Sequence, residues 1–428
     1  MPGPFPLWDT TAPRLAREAV MARNQLAWLL TVNTGSSSLK ASLYPLYVPA
    51  LGRAELTAAV TAIGSSTAEL RVTDSQGSAL EEPRHDTLPD HRAAMYALLS
   101  WLDKHGYGAQ VAAVGHRVVH GGVPHRAPEL VTPALVAALR DLTPIDPDHM
   151  PQVLGAIEAA GQAFPGIPQV ACFDTAFHRT MPRIAQLYAL PRQYTDEGIL
   201  RFGFHGLSYE SIVEQLRALD ATAAAGRLII AHLGNGASMA AVLGGASVDT
   251  TMGFTPAGGL VMSTRTGDLD PGVLAYLLQT GRVRADDVSA LVNRRSGLLA
   301  VAGGSPGDMR ELLAREPFDR AAAEAIALFC YQARKFLAAL TATLGGLETL
   351  VFTGGIGEHA APIRECICEG LQYLGVQLDA ARNAAHASII SADGSPATVR
   401  VMKTDEDRII AEHTLTLLRE QGGLSVSL

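Results

Sequence analysis

Three segments of this chain combine glycine with hydroxyl or amide side chains in the way that anion-binding turns require. Asn33-Thr34-Gly35-Ser36-Ser37-Ser38-Leu39-Lys40 offers an amide, a run of hydroxyls and a cation around a tight turn. Consecutive backbone N–H groups in such a turn form an anion nest, where the Ser36 and Ser38 hydroxyls and the Lys40 ammonium can reach phosphate oxygens or a hydrated metal. A polar hairpin turn with no ligand accounts for the same residues. His232-Leu233-Gly234-Asn235-Gly236-Ala237-Ser238 repeats the chemistry in the other half of the chain, with the same two readings. In Thr353-Gly354-Gly355-Ile356-Gly357-Glu358, the lack of side chains lets a ribose or phosphate lie against backbone and a helix N-terminus. Glycine is also used in strand-to-helix connections for packing alone.

Around these turns stand charged residues with matching chemistry. Asp174 ends the apolar strand Val170-Ala171-Cys172-Phe173, which is where open α/β sheets place catalytic groups. Glu406, in Thr404-Asp405-Glu406-Asp407, opens the last helical segment, so it serves either a metal or the helix start, where acids are favoured. Mg²⁺ takes one or two carboxylates and keeps several waters, so this small inventory suffices for it. The cations are Arg117 in Gly115-His116-Arg117, Arg265 in Ser263-Thr264-Arg265, and Arg310 in Asp308-Met309-Arg310. Each could form a structural ion pair instead. His205 and His232 are either hydrogen-bond donors to a ligand or satisfied core histidines.

The elements that must position these groups alternate between strand and helix. Leu26 to Val32 and Leu39 to Tyr44 read as a hairpin around the first turn, and Leu228 to Ala231 and Met239 to Leu243 read as strands around the second. Further strands are expected at Val111 to Val114, Gln169 to Phe173, Thr349 to Thr353 and Thr398 to Met402. Ile326, Phe329, Ala333, Phe336, Leu340 and Leu344 fall on one face of a long helix from Phe318 to Leu344, stopped by Gly345-Gly346. Pro362 suits the first position of a helix following the glycine segment. Two strand–turn–strand units, one in each half, suggest a pseudo-duplicated α/β protein.

Composition excludes several classes. The 428 residues are enough for two or three domains. Thirty-four Lys and Arg against forty-two Asp and Glu give a net charge of −8, which excludes a general nucleic-acid surface and makes any anion site local. The longest run free of charged residues, Leu228 to Val248, is broken by polar residues, so no membrane span is expected. Four cysteines, at 172, 330, 366 and 368, have neither zinc nor disulfide spacing, and no secretory signal is visible, which points to the cytoplasm. Residues 1–25 read as an N-terminal extension.

The ordered set of motifs resembles the acetate kinase family. Val32 to Lys40 resembles its first signature and Arg201-Phe202-Gly203-Phe204-His205-Gly206-Leu207-Ser208 its second. The resemblance continues through Gly115 to Gly122, Phe173 to His178, His232 to Ser238, Val248 to Pro271, Asn293 to Arg310, Phe352 to Glu358 and Thr404 to Glu406. It implies the fold shared by acetate kinase, sugar kinases, Hsp70 and actin: two ribonuclease-H-like (actin-like ATPase) domains with ATP in the cleft, as a homodimer. The domains are expected at 26–174, joined by a C-terminal helix over 408–428, and at 175–407 for the nucleotide.

The resemblance also implies roles. Asp174, Arg117, Arg265, His205 and His232 become the catalytic groups, while Asn33 and Glu406 hold Mg²⁺. Lys40, Ser36, Ser38, His232, Gly234, Asn235 and Gly236 face the phosphates of ATP, and Asp308, Met309, Arg310, Gly354, Gly355, Ile356 and Gly357 wall the adenosine. Arg117, Val119, Asp148, Phe204 and Pro256 line the acyl pocket. The implied reaction is acetate plus ATP to acetyl phosphate plus ADP. Propionate, butyrate or a hydroxy acid are alternative acceptors, and a non-enzymatic nucleotide switch is the alternative of another class. The chain departs from the family pattern at Leu207, Tyr209 and His359, and at Asp148, which falls where an apolar residue lines the pocket. A buried carboxylate facing a methyl group is unfavourable, so either Asp148 turns away or the acceptor carries a polar substituent.

Overall fold

The computed structural model describes residues 27–46, 51–81, 87–304 and 307–422, and in it the apolar strands of the two halves build two separate sheets. The expected N-terminal extension, 1–25, and Leu26 lie outside these residues, as do 423–428 at the end of the expected last helix. One unit holds the described chain up to Phe173 together with that from Glu406, and the other runs from Asp174 to Asp405.

In the first unit, β1 (Trp28–Thr34) is buried throughout, as a continuous apolar strand covered on both faces should be. Outward from it come β2 (Leu39–Pro45), β3 (Leu56–Thr61) and β4 (Glu69–Asp74), each antiparallel to the strand before it. After helix α1 (His91–Lys104) the chain returns as β5 (Val111–Val118), parallel to β1, then makes the short β6 (Glu129–Leu130). Helix α2 (Met150–Ala163) leads into β7 (Gln169–Phe173), parallel to β5. The sheet order is β4-β3-β2-β1-β5-β7-β6. Registers Val32↔His116 and Val118↔Phe173 bring the carboxyl ends of β1, β5 and β7 to one edge. Leu98, Trp101 and Leu102 of α1 and Ala156 and Ala160 of α2 pack in the core cluster built on β1 to β5. The last helix, Glu406–Glu420, also belongs to this unit. A Cβ on Gly115 would stand 2.3 Å from Thr414 Oγ1 and 2.7 Å from Ile410 Cγ2, so only glycine in β5 lets that helix seat.

The second unit repeats the pattern. After α3 (Gly206–Leu219) come β8 (Arg227–Leu233), β9 (Ala237–Leu243) and β10 (Ala246–Thr250), successive antiparallel neighbours. The chain continues through α4 (Pro271–Gln279), α5 (Met309–Arg315) and α6 (Arg320–Leu344). Then β11 (Thr349–Thr353), α7 (Gly354–His359), α8 (Ala361–Cys368) and β12 (Thr398–Val401) follow. β11 is parallel to both β8 and β12, giving the order β10-β9-β8-β11-β12. Both sheets therefore combine a parallel core with an antiparallel flank, the first also carrying the short antiparallel β6 at its other edge, and the protein is α/β.

Three expectations are corrected. The long helix starts at Arg320 rather than Phe318, because the Asp319 carboxylate accepts the N–H groups of Ala321 and Ala322 and so caps it; Phe318 is left 92% exposed. Leu337, not the half-buried Phe336, occupies the core face between Ala333 and Leu340. Finally, the glycine segment after β11 is itself helical, as α7, and Pro362 lies in the first turn of a second helix, α8, which starts at Ala361.

Two histidines are sealed in these cores. His116 in β5 meets the Gln169 side chain at 2.7 Å, and His178 donates from Nε2 to the Phe204 carbonyl at 3.0 Å with its Nδ1 2.8 Å from Ser247 Oγ. Burial pushes each imidazole down to about 4. The unfolded chain, near the ordinary 6.5, thus binds protons that the folded chain refuses between about pH 6.5 and 4, and stability falls as pH drops through that window. The expected loss is about 3 kcal/mol for each histidine by pH 4. Urea midpoints measured from pH 7 to 4.5 check this, and His178→Gln should flatten the slope.

Candidate active site

In the first unit, three residues far apart in sequence form one chain of hydrogen bonds. Asn33, at the carboxyl end of β1, donates from Nδ2 to Glu406 Oε2 at 2.7 Å. Its Oδ1 accepts from an Arg117 guanidinium nitrogen at 3.2 Å, and the same nitrogen lies 3.5 Å from the Thr34 carbonyl. The strand registers explain the meeting, since β1 and β5 end side by side and the last helix begins beneath them. Glu406 is the first residue of that helix and spends its carboxylate on Asn33, so its position serves more than a helix start.

The turn after Asn33 is fixed from behind. Gly35 donates to the Ser38 carbonyl at 2.8 Å, and His91, the first residue of α1, donates from Nε2 to the Gly35 carbonyl at 2.7 Å. Burial holds His91 below the usual histidine range, so the imidazole stays neutral, although the Gly35 and Ser38 carbonyls pull the other way. A planar trans peptide directs its N–H opposite to its C=O, so anchoring the Gly35 carbonyl turns the Ser36 N–H away from α1. Ser36 and Lys40 are exposed and Ser38 is half-buried.

The second unit gathers a larger set. Asp174 follows β7 directly and is fully buried. Gly206 stands so close that a Cβ there would lie 2.0 Å from the Asp174 carbonyl oxygen. Preceding it, His205 takes the left-handed conformation (φ 59°, ψ 25°) at the start of α3. A non-glycine residue held there costs about 1–3 kcal/mol, a strain that surrounding structure must impose. The His205 ring stacks on His232, with centroids 4.3 Å apart and planes 22° apart. Each Nδ1 is engaged by a serine: Ser238 Oγ at 2.8 Å from His205, and Ser208 Oγ at 2.8 Å from His232. The Nε2 edges face the second turn, where a Cβ on Gly236 would be 3.1 Å from His205 Nε2 and 3.7 Å from an Arg265 nitrogen. Asn235 is tied to the Arg265 segment, its carbonyl accepting the Ser263 N–H at 3.3 Å. Arg265 donates to the Pro256 carbonyl at 3.3 Å.

Other expected residues are dispersed. Asp308 caps α5 by accepting the Arg310 N–H at 2.8 Å, and its carboxylate pairs with the Arg310 guanidinium at 3.2 Å. That guanidinium, aided by local N–H groups, holds Asp308 below the usual carboxylate range. Arg310 is otherwise exposed and Met309 is buried. Gly354 and Gly357 are packed against the β8 and β11 backbones, whereas Gly355 is exposed with open space where a Cβ would go; Ile356 is buried. Val119, Phe204 and Pro256 are buried as expected. Asp148 is half-buried, and the sealed carboxylate of its loop is Asp146, which accepts from His149 Nδ1 at 2.8 Å.

Sequence reasoning missed His91, Arg364 and the polar pair Tyr209–Ser238. Arg364, in α8, is fully buried and donates to the Gly357 and Glu358 carbonyls at 2.8 and 3.0 Å, closing the end of α7. A lone arginine in an amphipathic helix gives no local sign of that. Tyr209 did carry a signal, as a departure from the family's second signature.

The sequence profile of the acetokinase family matches residues 28–412. The acetate kinase of Methylocella silvestris is 44% identical over 397 residues, covering 91% of this chain and 98% of that protein. The acetate kinase of Rhodopseudomonas palustris (strain CGA009) is 45% identical over the same length, again covering 91% and 98%. Among solved structures, Porphyromonas gingivalis acetate kinase superposes with a TM-score of 0.79 at 35% identity, covering 92% of this chain and 100% of that one. A propionate kinase from Francisella tularensis gives a TM-score of 0.83 at 32% identity, covering 91% and 99%. The fold is the actin-like one of these kinases, and the chain belongs to the acetokinase family.

Proposed function

We propose that the protein is an acetate kinase, transferring the γ-phosphoryl group of ATP directly to acetate to give acetyl phosphate and ADP. The observation that carries this reading is the stacked His205–His232 pair beside Arg265 on the Gly234–Gly236 turn. It is a set of donors and a cation, as an already ionised acceptor requires. A carboxylate needs no deprotonation; it needs relief from repulsion by the phosphates, and fixed charges and donors supply that in the transition state. Arg265 and Arg117 neutralise the acceptor and the phosphoryl oxygens. His205 and His232 donate from Nε2, and Asn235, Gly236, Ser36, Ser38 and Lys40 hold the phosphates. Gly354 to Gly357 and Asp308 to Arg310 wall the adenosine, and Val119, Phe204 and Pro256 exclude water from the acetate methyl.

Asn33 and Glu406 are oxygen donors suited to a hard cation, and Asp174 completes the acidic inventory. Among the described residues no group of three or more His, Cys, Asp or Glu side chains could hold a metal alone, which suits Mg²⁺, an ion carried largely by phosphates and water. When bound, Mg²⁺ would supply charge neutralisation on the phosphate oxygens.

The second unit has an apolar face that supports a homodimer. Helix α4 buries none of its residues and leaves Val273, Tyr276 and Leu278 at 40–51% exposure, a surface suited to a second copy and open to test by sedimentation equilibrium. Four free cysteines and an ATP substrate support a cytoplasmic enzyme.

Incubation with ATP, Mg²⁺ and acetate, propionate, butyrate or a hydroxy acid, with hydroxylamine trapping the acyl phosphate, tests the reading. Hydroxamate is expected with acetate first and propionate second, since one methylene discriminates by only ~10- to 200-fold. Asp148→Leu should change kcat/KM for acetate by less than about threefold, because Asp148 is only half-buried and the sealed carboxylate of its loop is Asp146, which has His149 as its partner. Hydroxamate from none of the acids overturns the carboxylate kinase; a hydroxy-acid preference lost in Asp148→Leu makes Asp148 the specificity determinant.

A further inference from the structure

The hydroxyl protons around His205 can be counted. Tyr209 is fully buried and, among the described residues, its hydroxyl has one polar partner, Ser238 Oγ. Ser238 is also fully buried, and its Oγ meets the Tyr209 hydroxyl on one side and His205 Nδ1, at 2.8 Å, on the other. Two contacts must be bridged, and each hydroxyl carries one proton. If His205 Nδ1 were protonated and donated to Ser238, three protons would share two contacts, and one hydroxyl proton, of Tyr209 or of Ser238, would be left buried with no acceptor. Such an orphaned donor carries the full desolvation penalty. The phenol cannot escape by ionising, because burial, reinforced by the charge of Asp174, pushes its pKa upward. The arrangement that satisfies every group runs Tyr209 O–H to Ser238 Oγ, then Ser238 O–H to His205 Nδ1.

We infer that Ser238, its oxygen engaged by the Tyr209 hydroxyl, is a positioning residue that keeps the proton of neutral His205 on Nε2, making that atom a hydrogen-bond donor toward the Gly234–Gly236 turn. His232 obeys the same count. Ser208 is fully buried, and among the described residues its hydroxyl meets only His232 Nδ1, so its proton is donated there and His232 also carries its proton on Nε2. Two stacked rings thus present two N–H groups on one side, as oxygens of a phosphoryl group would require. The use of those donors in phosphoryl transfer rests on the acetate kinase reading; the tautomer itself does not.

The experiment therefore has two arms. In the full-length protein labelled with ¹⁵N-histidine, with the His205 signal assigned by its loss in His205→Gln, long-range ¹H–¹⁵N spectra report which ring nitrogen bears the proton. Wild type is expected to show a protonated Nε2 and a bare Nδ1. Ser238→Ala, which removes the hydroxyl that donates to Nδ1, should give a mixture of tautomers and lower kcat by about 3- to 10-fold, with both KM values within about twofold, whereas Tyr209→Phe, which leaves Ser238 its proton, should leave the His205 proton on Nε2. Ser238→Thr, which keeps a hydroxyl, should recover activity that Ser238→Ala loses, a rescue that packing alone does not predict. A wild-type His205 protonated on Nδ1 overturns the inference, as does a Ser238→Ala protein with tautomer and kcat both unchanged. Absence of hydroxamate from the wild-type protein would sink the kinase reading instead, and the spectra would still decide the tautomer.

Discussion

Replacing Arg117 or Arg265 with alanine is expected to lower kcat for acetate and ATP by about 10²- to 10³-fold, the cost of removing one fixed charge or donor from a developing transition state. Neither guanidinium sits in a core. Both are half-buried: Arg117 donates to Asn33 Oδ1 and the Thr34 carbonyl, and Arg265 to the Pro256 carbonyl and, at 3.8 Å, to the Met262 sulfur. Soluble yield and thermal midpoint should therefore stay close to those of the parent while turnover collapses. Lysine should restore little at either position, because a point charge cannot reproduce the planar fork of donors. The signature to look for is a loss in kcat shared by kcat/KM, the mark of an interaction made in the transition state. Near-normal turnover in Arg117→Ala or Arg265→Ala would remove that residue from the mechanism.

An effect of similar size is expected from a single methyl group. In Gly206→Ala the new Cβ would meet the Asp174 carbonyl oxygen at 2.0 Å and the Phe177 Cβ at 2.9 Å. Neither obstacle is the end of a flexible side chain, so relief requires the backbone at Asp174 or His205 to move. A displacement of about 1 Å at a catalytic group can cost ~10²-fold in rate, and overpacking costs about 1–3 kcal/mol in stability. Both kcat and thermal midpoint should fall. Gly355→Ala is the comparison, since open space surrounds that position and folding should be untouched. A kcat/KM for ATP that drops in Gly355→Ala without loss of stability reports a ligand lying against that backbone. If Gly206→Ala is as active and as stable as the parent, the rigid seat assigned to His205 is wrong.

These outcomes depend on features that were unequally legible in the sequence. The strands around both turns were readable because their apolar runs are continuous and bounded by glycine, serine and asparagine. The reading of β5 stopped at Val114, whereas the strand runs on through Gly115, His116 and Arg117 to Val118. Those residues look loop-like only until their partners are known: Gly115 receives a helix, His116 is sealed against Gln169, and Arg117 bonds to Asn33. The glycine segment after β11 misled in the opposite direction, since high glycine content suggested a loop and packing on β8 made a helix. Motif chemistry identified Asn33, Arg117 and Glu406 individually. That the Asn33 amide spans from the Arg117 guanidinium to the Glu406 carboxylate is a property of strand register, with no counterpart in local spacing. Tyr209 shows a further limit: it was visible as a departure, but its meaning lies in counting protons with Ser238, a residue in another element.

The Asn33–Glu406 bond closes a loop of 373 residues, and the helix that Glu406 begins fills the face of the first unit opened by Gly115. On a ribosome, β1 to β7 must therefore wait, with the seat for Ile410 and Thr414 uncovered, until the whole second unit has been made. The second unit, continuous in sequence from Asp174 to Asp405, has no such delay and can mature first. Synthesis thus completes the two units in the reverse of the order in which they begin, and the first half of the chain is the one that needs protection while it waits.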